Sequence, residues 1–255
     1  MRGLVGAWRL ARVGVHGLHG LAIVLLRFGA LAAGERHARI QWWSAKLLRL
    51  LGIALHSRGA AHAGAKLVVS NHVSWLDIAA IHAVLPEARF VAKSDVRRWP
   101  LAGRLVAGAG SLFIEREKKR DALRVIHQMA AALEGGDTVA VFPEGTTGDG
   151  RTLLPFHANL LQAAVATATP VQPVVLRFFD REHAVSPLAE FLGETTMAQT
   201  VWRIACADGL AVEVLVLLAQ GTAHADRRAL AEHLHDLLAR ALSDAIQAPG
   251  APNSH

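Results

Sequence analysis

The chain has 255 residues, of which 52% are hydrophobic, and its formal net charge is +6. This size fits one large domain, or one domain with an appendage, and the apolar content is ample for a core. The positive charge favours a partner with anionic phosphates, either a nucleic acid or a membrane surface. We find no nucleic-acid-binding motif and no zinc-ligand spacing. The basic residues lie beside tryptophans and apolar residues, which favours the membrane. The single cysteine, Cys206, excludes an internal disulfide and indicates a reducing compartment.

The N-terminal segment combines arginines with an apolar run from Val13 to Ala33. A secretory signal peptide has a similar pattern, and Ala30-Leu31-Ala32 resembles a small-residue cleavage site. However, His16, His19 and Arg27 interrupt the run, which weakens both a signal core and a full membrane span. We therefore predict a retained helix that enters one leaflet or lies in the interface.

A second helix is predicted from Ala38 to Ile53, because apolar residues there recur at helical spacing. Trp42 and Trp43 have amphipathic rings that suit the headgroup level of a membrane. The alternative is an ordinary amphipathic helix that packs on the following domain. We predict that residues 1–53 form a membrane-associating segment, residues 54–247 a catalytic domain and residues 248–255 a disordered tail.

From Ala54 onward, strands and helices alternate, which predicts an α/β domain whose mostly parallel sheet is flanked by helices. The predicted strands are Ala54–Ser57, Lys66–Ser70, Arg89–Lys93, Ser111–Glu115, Thr138–Phe142, Val171–Phe179 and Leu210–Ala219, with Gly59–Gly64 as the turn between the first two. The predicted helices are Asp77–Leu85, Arg120–Leu133, Ala158–Thr167 and Arg227–Ile246, and Ser94–Ala107 is helical or looped.

The stretch from Asn71 to Asp77 connects a predicted strand to a predicted helix, where side chains can point into a cleft. His72 can accept a proton near neutral pH. A carboxylate bonded to its other ring nitrogen would fix the tautomer, and Asp77 reaches it if the chain turns at the helix start. Alternatively, Ser74 or Asp77 caps the helix and His72 is a loop residue. The residues alone leave both interpretations open.

The pattern Asn-His-x-Ser-x-x-Asp resembles the first motif, with its HX4D spacing, of the glycerolipid acyltransferases, the family of 1-acylglycerol-3-phosphate acyltransferases. Three further stretches resemble the later motifs of this family in the same order: Gly110–Arg116, Phe142–Thr146 and Val171–Leu176. The resemblance implies an O-acyltransferase with His72 as general base and Asp77 orienting it. The implied substrates are acyl-CoA or acyl carrier protein as donor and a lysolipid as acceptor, with no cofactor and no metal. It also implies attachment to the inner membrane, with the catalytic domain on the cytoplasmic side.

Charged and small residues at predicted strand ends are the candidates for substrate binding. Arg116 ends the predicted strand that contains Phe113, and a guanidinium there can grip a phosphate or carboxylate with two hydrogen bonds. A surface arginine in a basic run is the alternative for Arg116. Lys93, at another strand end, adds positive charge near the acceptor or is simply solvated.

In the loop after the next strand, Gly145 allows a close backbone approach, and Thr146 can donate to an anion. Glu144 either accepts from the acceptor hydroxyl or organises Arg116 and the loop, and a plain turn remains the simplest alternative. Many family members have Arg after Glu-Gly-Thr, whereas this chain has Thr147.

The acceptor that the resemblance favours is 1-acylglycerol-3-phosphate, which would give phosphatidic acid, and three other functions compete with this one. Lyso-ornithine lipid O-acyltransferases also resemble the chain, in the run Thr146-Thr147-Gly148-Asp149-Gly150. A lipid hydrolase could use Ser74 as nucleophile, although no Gly-x-Ser-x-Gly elbow surrounds it. A non-enzymatic membrane-binding module would leave four polar motifs at strand ends without a purpose.

Overall fold

The computed structural model describes residues 1–99, 101–114 and 119–248, in which seven strands form one sheet. The strands are β1 (Ala54–Arg58), β2 (Lys66–Ser70), β3 (Ala88–Lys93), β4 (Leu112–Ile114), β5 (Thr138–Val141), β6 (Val171–Phe179) and β7 (Ala211–Val216). Their order is β1-β7-β6-β2-β5-β3-β4. Each neighbouring pair is parallel except β6 and β7, which are antiparallel. The predicted fold class is therefore confirmed.

Helices cover both faces of this sheet. They are α1 (Arg2–Leu26), α2 (Ala33–Leu51), α3 (Leu76–Val84), α4 (Ala102–Gly108), α5 (Lys119–Glu134), α6 (Gln162–Ala166), α7 (Met197–Ala205) and α8 (Arg227–Gln247). Residues of α2, α3 and α7 share one apolar core, whereas α5, α6 and α8 share the other. Burial on both faces explains why β2 and β5 are continuous runs with every residue buried.

The structure corrects three details of the predicted elements. The predicted helix Ala158–Thr167 is a 3₁₀ turn, Ala158–Leu161, followed by the short α6. Helix α7 was missed, although Thr196 and Gln199 form a capping box at its start. The segment Gly59–Gly64 is not a turn between paired strands, because β7 and β6 lie between β1 and β2. Of the predicted tail, residues 249–255 lie outside the described residues.

Helix α1 is long and apolar enough to cross a membrane by length and composition, as judged over the described residues. Its inner face nevertheless binds the domain. The Arg9 guanidinium donates from Nη1 to the carbonyls of Ala205 and Ala207, at 3.1 and 2.6 Å, where α7 ends. His16, only 3% exposed, lies 2.9 Å from the Trp43 carbonyl through Nε2, and the Trp43 indole donates back to the His16 carbonyl.

The apolar stripe of α2 packs into the core, as the alternative interpretation of this helix expects. Leu47, Leu48 and Leu51 are buried in the same core as Ile81 of α3. Trp43 lies against α1, where it stacks on His16. The prediction that this stripe faces a membrane is therefore wrong for its leucines, which are buried in the domain, whereas Trp43 is half-buried between α1 and the core.

Candidate active site

The loops that follow β2 and β5 meet at one edge of the sheet, because parallel neighbouring strands end on the same side. The backbone N–H of Gly148 donates to the His72 carbonyl at 2.7 Å and joins the two loops. Asn71 fixes the end of β2 against β6, since its side-chain amide both donates to and accepts from the backbone of Leu176, at 2.9 and 2.8 Å. Sequence reasoning gave Asn71 no such role.

His72 and Asp77 form a close pair at this edge. His72 Nδ1 lies 2.7 Å from Asp77 Oδ2, and Asp77 is completely buried, whereas His72 is 22% exposed at its side chain. The same oxygen also accepts from the backbone N–H groups of Val73 and Ser74, at 2.7 and 2.9 Å. One carboxylate oxygen thus holds both the turn and the imidazole. Because a carboxylate accepts, Nδ1 carries the proton and the lone pair is on Nε2.

Glu144 holds the backbone of both loops. Its Oε1 accepts from the His72 N–H at 2.8 Å, and its Oε2 accepts from the Leu154 N–H at 2.8 Å. The residue is only 5% exposed. Burial raises the pKa of the Glu144 carboxyl above its usual value, and the two backbone hydrogen bonds oppose this rise. Of the two roles open for Glu144, the geometry fits the organisation of the loop.

Two aromatic side chains complete the surroundings of these loops, and sequence reasoning missed both. The Phe142 ring stacks on the His72 imidazole, with centroids 4.1 Å apart and planes 10° from parallel. The His157 imidazole lies against Gly145, which has a φ of +74°. Phe142 begins the Phe-Pro-Glu-Gly-Thr motif, so its position in the sequence could have indicated that it lies near the site. No local pattern points to His157, because only the folding of the loop brings it back.

The described structure does not place all of the other predicted binding residues beside His72. Thr146 is exposed beside Gly145 on the same loop. Phe113 is on the edge strand β4, three positions from β2, and its ring lies 5.7 Å from the Arg97 guanidinium carbon. The backbone of Lys93 ends β3 at the same edge, but its side chain lies outside the described part. Arg116 also lies outside the described residues.

Ser74 is not arranged as a nucleophile. Its side chain is fully buried, and its hydroxyl has no hydrogen-bond partner among the described residues. The Nδ1 atom of His72 bonds to Asp77. Ser74 also bonds to Asp77, but through its backbone N–H and not through its hydroxyl. A Ser–His–Asp relay would need the Ser74 hydroxyl on the imidazole and open to substrate.

The fold is a mostly parallel α/β sheet, and the histidine–aspartate pair at its carboxyl edge has a geometry that is compatible with general-base chemistry. The family profile described as Acyltransferase matches residues 31–177. The chain therefore belongs to the acyltransferase family and is an O-acyltransferase, which confirms the family resemblance.

Two relatives and one solved structure illustrate the similarity. A 1-acyl-sn-glycerol-3-phosphate acyltransferase of Neisseria gonorrhoeae is 31% identical over 88% of this chain and 81% of its own length. A lyso-ornithine lipid O-acyltransferase of Pseudomonas aeruginosa is 33% identical over 84% of this chain and 82% of its own. The crystal structure of the 1-acyl-sn-glycerophosphate acyltransferase of Thermotoga maritima matches with a TM-score of 0.74 over 98% of this chain and 99% of that chain, at 19% identity. This last likeness concerns the fold.

Proposed function

We propose that this protein transfers a fatty acyl group from acyl-CoA or acyl carrier protein to the hydroxyl of a lysolipid. The acceptor that we favour is 1-acylglycerol-3-phosphate, and the product is then phosphatidic acid. The observation that carries the proposal is the 2.7 Å contact between His72 Nδ1 and Asp77 Oδ2, which leaves the basic lone pair on Nε2. Relatives named as acyltransferases for lysolipids support the substrate class.

In the proposed reaction, His72 Nε2 takes the proton of the acceptor hydroxyl as its oxygen attacks the thioester carbonyl carbon. The negative charge of Asp77 stabilises the imidazolium that forms. The tetrahedral intermediate then expels the thiolate, which takes the proton from His72 and leaves as a thiol. No acyl-enzyme is needed, and the step requires neither a metal nor a cofactor.

The binding roles follow from the positions of the loops. Thr146 offers an exposed hydroxyl donor two residues after Glu144, which itself bonds to the backbone of His72. Gly145 lacks a side chain and so lets a substrate group come close to the backbone of the loop. A head group adjacent to the reacting hydroxyl would lie over them. We assign Arg116 to the same anionic group on the motif resemblance, and Lys93 on its position at the end of β3. Phe113 is assigned to the substrate wall, not to the chemistry.

Lyso-ornithine lipid is the second candidate acceptor, because a relative named for it is 33% identical over 84% of the chain, against 31% over 88% for the 1-acyl-sn-glycerol-3-phosphate acyltransferase. Position 147 is an uncharged threonine and so offers no cation to a phosphate, and its hydroxyl donates to the Phe191 carbonyl at 2.5 Å. The deciding experiment incubates the purified full-length protein with labelled acyl donor and both lysolipids in competition. Label in phosphatidic acid supports our choice, label in ornithine lipid supports the alternative, and no label in either contradicts the function.

Membrane association is proposed to involve the exposed apolar face of α1, which includes Leu4, Trp8 and Leu18. The contacts of α1 support its retention, because cleavage near Ala32 would remove Arg9 and His16 from the domain that they bind. We place the protein at the inner membrane, with the catalytic domain on the cytoplasmic side. N-terminal sequencing of the membrane fraction should begin at or near Met1, and a start near Ala33 would contradict retention.

A further inference from the structure

His157 is packed directly on the loop that bears Gly145 and Thr146. A Cβ atom on Gly145 would lie 3.0 Å from Cδ2 and 3.1 Å from Nε2 of His157. These distances are tighter than ordinary van der Waals contact, and the φ of +74° independently favours glycine. Gly145 therefore gives the imidazole room to lie against the backbone at this point.

A backbone hydrogen bond anchors His157 to the beginning of this loop. The His157 N–H donates to the Pro143 carbonyl at 2.8 Å, which returns the chain to the beginning of the loop. The His157 side chain is exposed to solvent although its ring contacts the loop. The result is an imidazole that lies beside Gly145 and is accessible to a ligand.

The other charged side chains between residues 142 and 157 are engaged with the backbone of the protein. Both oxygens of Glu144 accept backbone N–H groups. Asp149 accepts from the N–H groups of Arg151 and Thr152, at 2.8 and 3.2 Å. The Arg151 guanidinium donates to the Val185 carbonyl at 3.3 Å. An anion over this loop would approach the carboxylate of Glu144, and a nearby N–H donor with positive charge would offset the repulsion between them.

We propose that His157 binds the anionic head group of the acceptor, and that it determines specificity for that group. Its imidazole would donate a hydrogen bond to the phosphate or carboxylate that lies over Gly145 and Thr146. Imidazole becomes a cation near neutral pH and is then a donor at both nitrogens. The inference rests on the proposed function, since it takes the lysolipid hydroxyl to be at His72. A phosphate dianion attracts this donor more strongly than a single carboxylate does.

A kinetic comparison tests the assignment. His157→Ala is expected to raise the KM for the phosphate acceptor about tenfold, or about 1.4 kcal/mol, and to leave the donor KM unchanged. His157→Lys should restore most of the affinity because it returns a cation. His127→Ala, an exposed histidine on α5, is the matched control and should behave as wild type. A folded His157→Ala protein with an unchanged acceptor KM, or with only the donor KM raised, overturns the proposal.

Comparing acceptors identifies which anion His157 recognises. With lyso-ornithine lipid in place of 1-acylglycerol-3-phosphate, the KM increase for His157→Ala should be smaller. An equal increase for both would contradict the specificity role.

A second measurement does not depend on turnover. Wild-type protein in detergent is treated with diethyl pyrocarbonate, and modification of each histidine is followed by mass spectrometry. sn-Glycerol 3-phosphate should slow modification of His157 and not of His127, whereas glycerol should protect neither. Equal modification of His157 with and without the phosphate overturns the inference. If wild type transfers acyl groups to no lysolipid but His157 is protected, the proposed function fails while the anion site stands.

Discussion

Replacing Glu144 with Gln tests whether this residue organises the loops or contacts the substrate. The carboxylate accepts two buried backbone N–H groups, from His72 and Leu154, at 2.8 Å each. Gln has one acceptor oxygen, so its NH₂ group must oppose one of these donors. The loss is one hydrogen bond to a charged group, worth about 1.5–3 kcal/mol. For a protein of this size, that corresponds to a fall in Tm of roughly 3–12 °C.

The measurement is thermal unfolding of purified full-length protein in detergent, with kcat and acceptor KM determined at a temperature where both forms are folded. Glu144→Gln should lower Tm and kcat, because the His72 backbone shifts, and should change acceptor KM little. Glu134→Gln, at an exposed position at the end of α5, is the matched control and should leave Tm within a degree or so of wild type. A Glu144→Gln variant with wild-type Tm and a strongly raised acceptor KM would refute the reasoning, since Glu144 would then bind the substrate.

Three further changes test the neighbouring residues. Asp77→Asn should lower kcat by roughly 10²- to 10⁴-fold with a wild-type donor KM, because the imidazolium loses its counter-charge; near-normal kcat in a steady-state assay contradicts this. Ser74→Ala removes a buried hydroxyl without a partner among the described residues, so unfolding free energy and activity should stay near wild type; a folded but inactive variant would revive the hydrolase mechanism. Burial lowers the pKa of His82 to about 4 from 6.5. Between pH 6.5 and 4, His82 is therefore protonated in the unfolded chain but neutral in the folded protein. The free energy of unfolding falls by up to about 3 kcal/mol as the pH drops over this range. Denaturant unfolding at both pH values should show a smaller loss for His82→Gln, and an equal loss excludes His82 as the cause.

Much of the architecture was predictable from local patterns. Strands β2 and β6 were predicted with their observed bounds, because short runs rich in valine and other apolar residues mark buried strands. The turn between β2 and α3 also followed from the sequence. Helix α7 was missed although its capping box was visible, because Thr196 and Gln199 lie in a region without another strong signal.

Packing decided what α1 and α2 do with their apolar faces. The sequence shows tryptophans, arginines and apolar residues at helical spacing, a pattern that fits both a membrane surface and a protein core. In the structure, Leu47 and Leu51 enter the core and Trp43 pairs with His16, whereas Trp8 stays exposed. Periodicity specifies only that a face is apolar, and the choice of its partner depends on which surfaces the fold brings within reach.

The sequence by itself determined the acyltransferase family, the α/β class and the close spacing of His72 and Asp77, because each depends on residues near one another in the chain. Only the tertiary structure decided the environment of those residues. The contact of Glu144 with the His72 backbone joins positions 72 apart, through the pairing of β2 with β5. The imidazole of His157 reaches Gly145 because the loop after β5 folds back on itself. Such contacts depend on strand order and loop closure, and neither leaves a periodic trace in the amino-acid sequence.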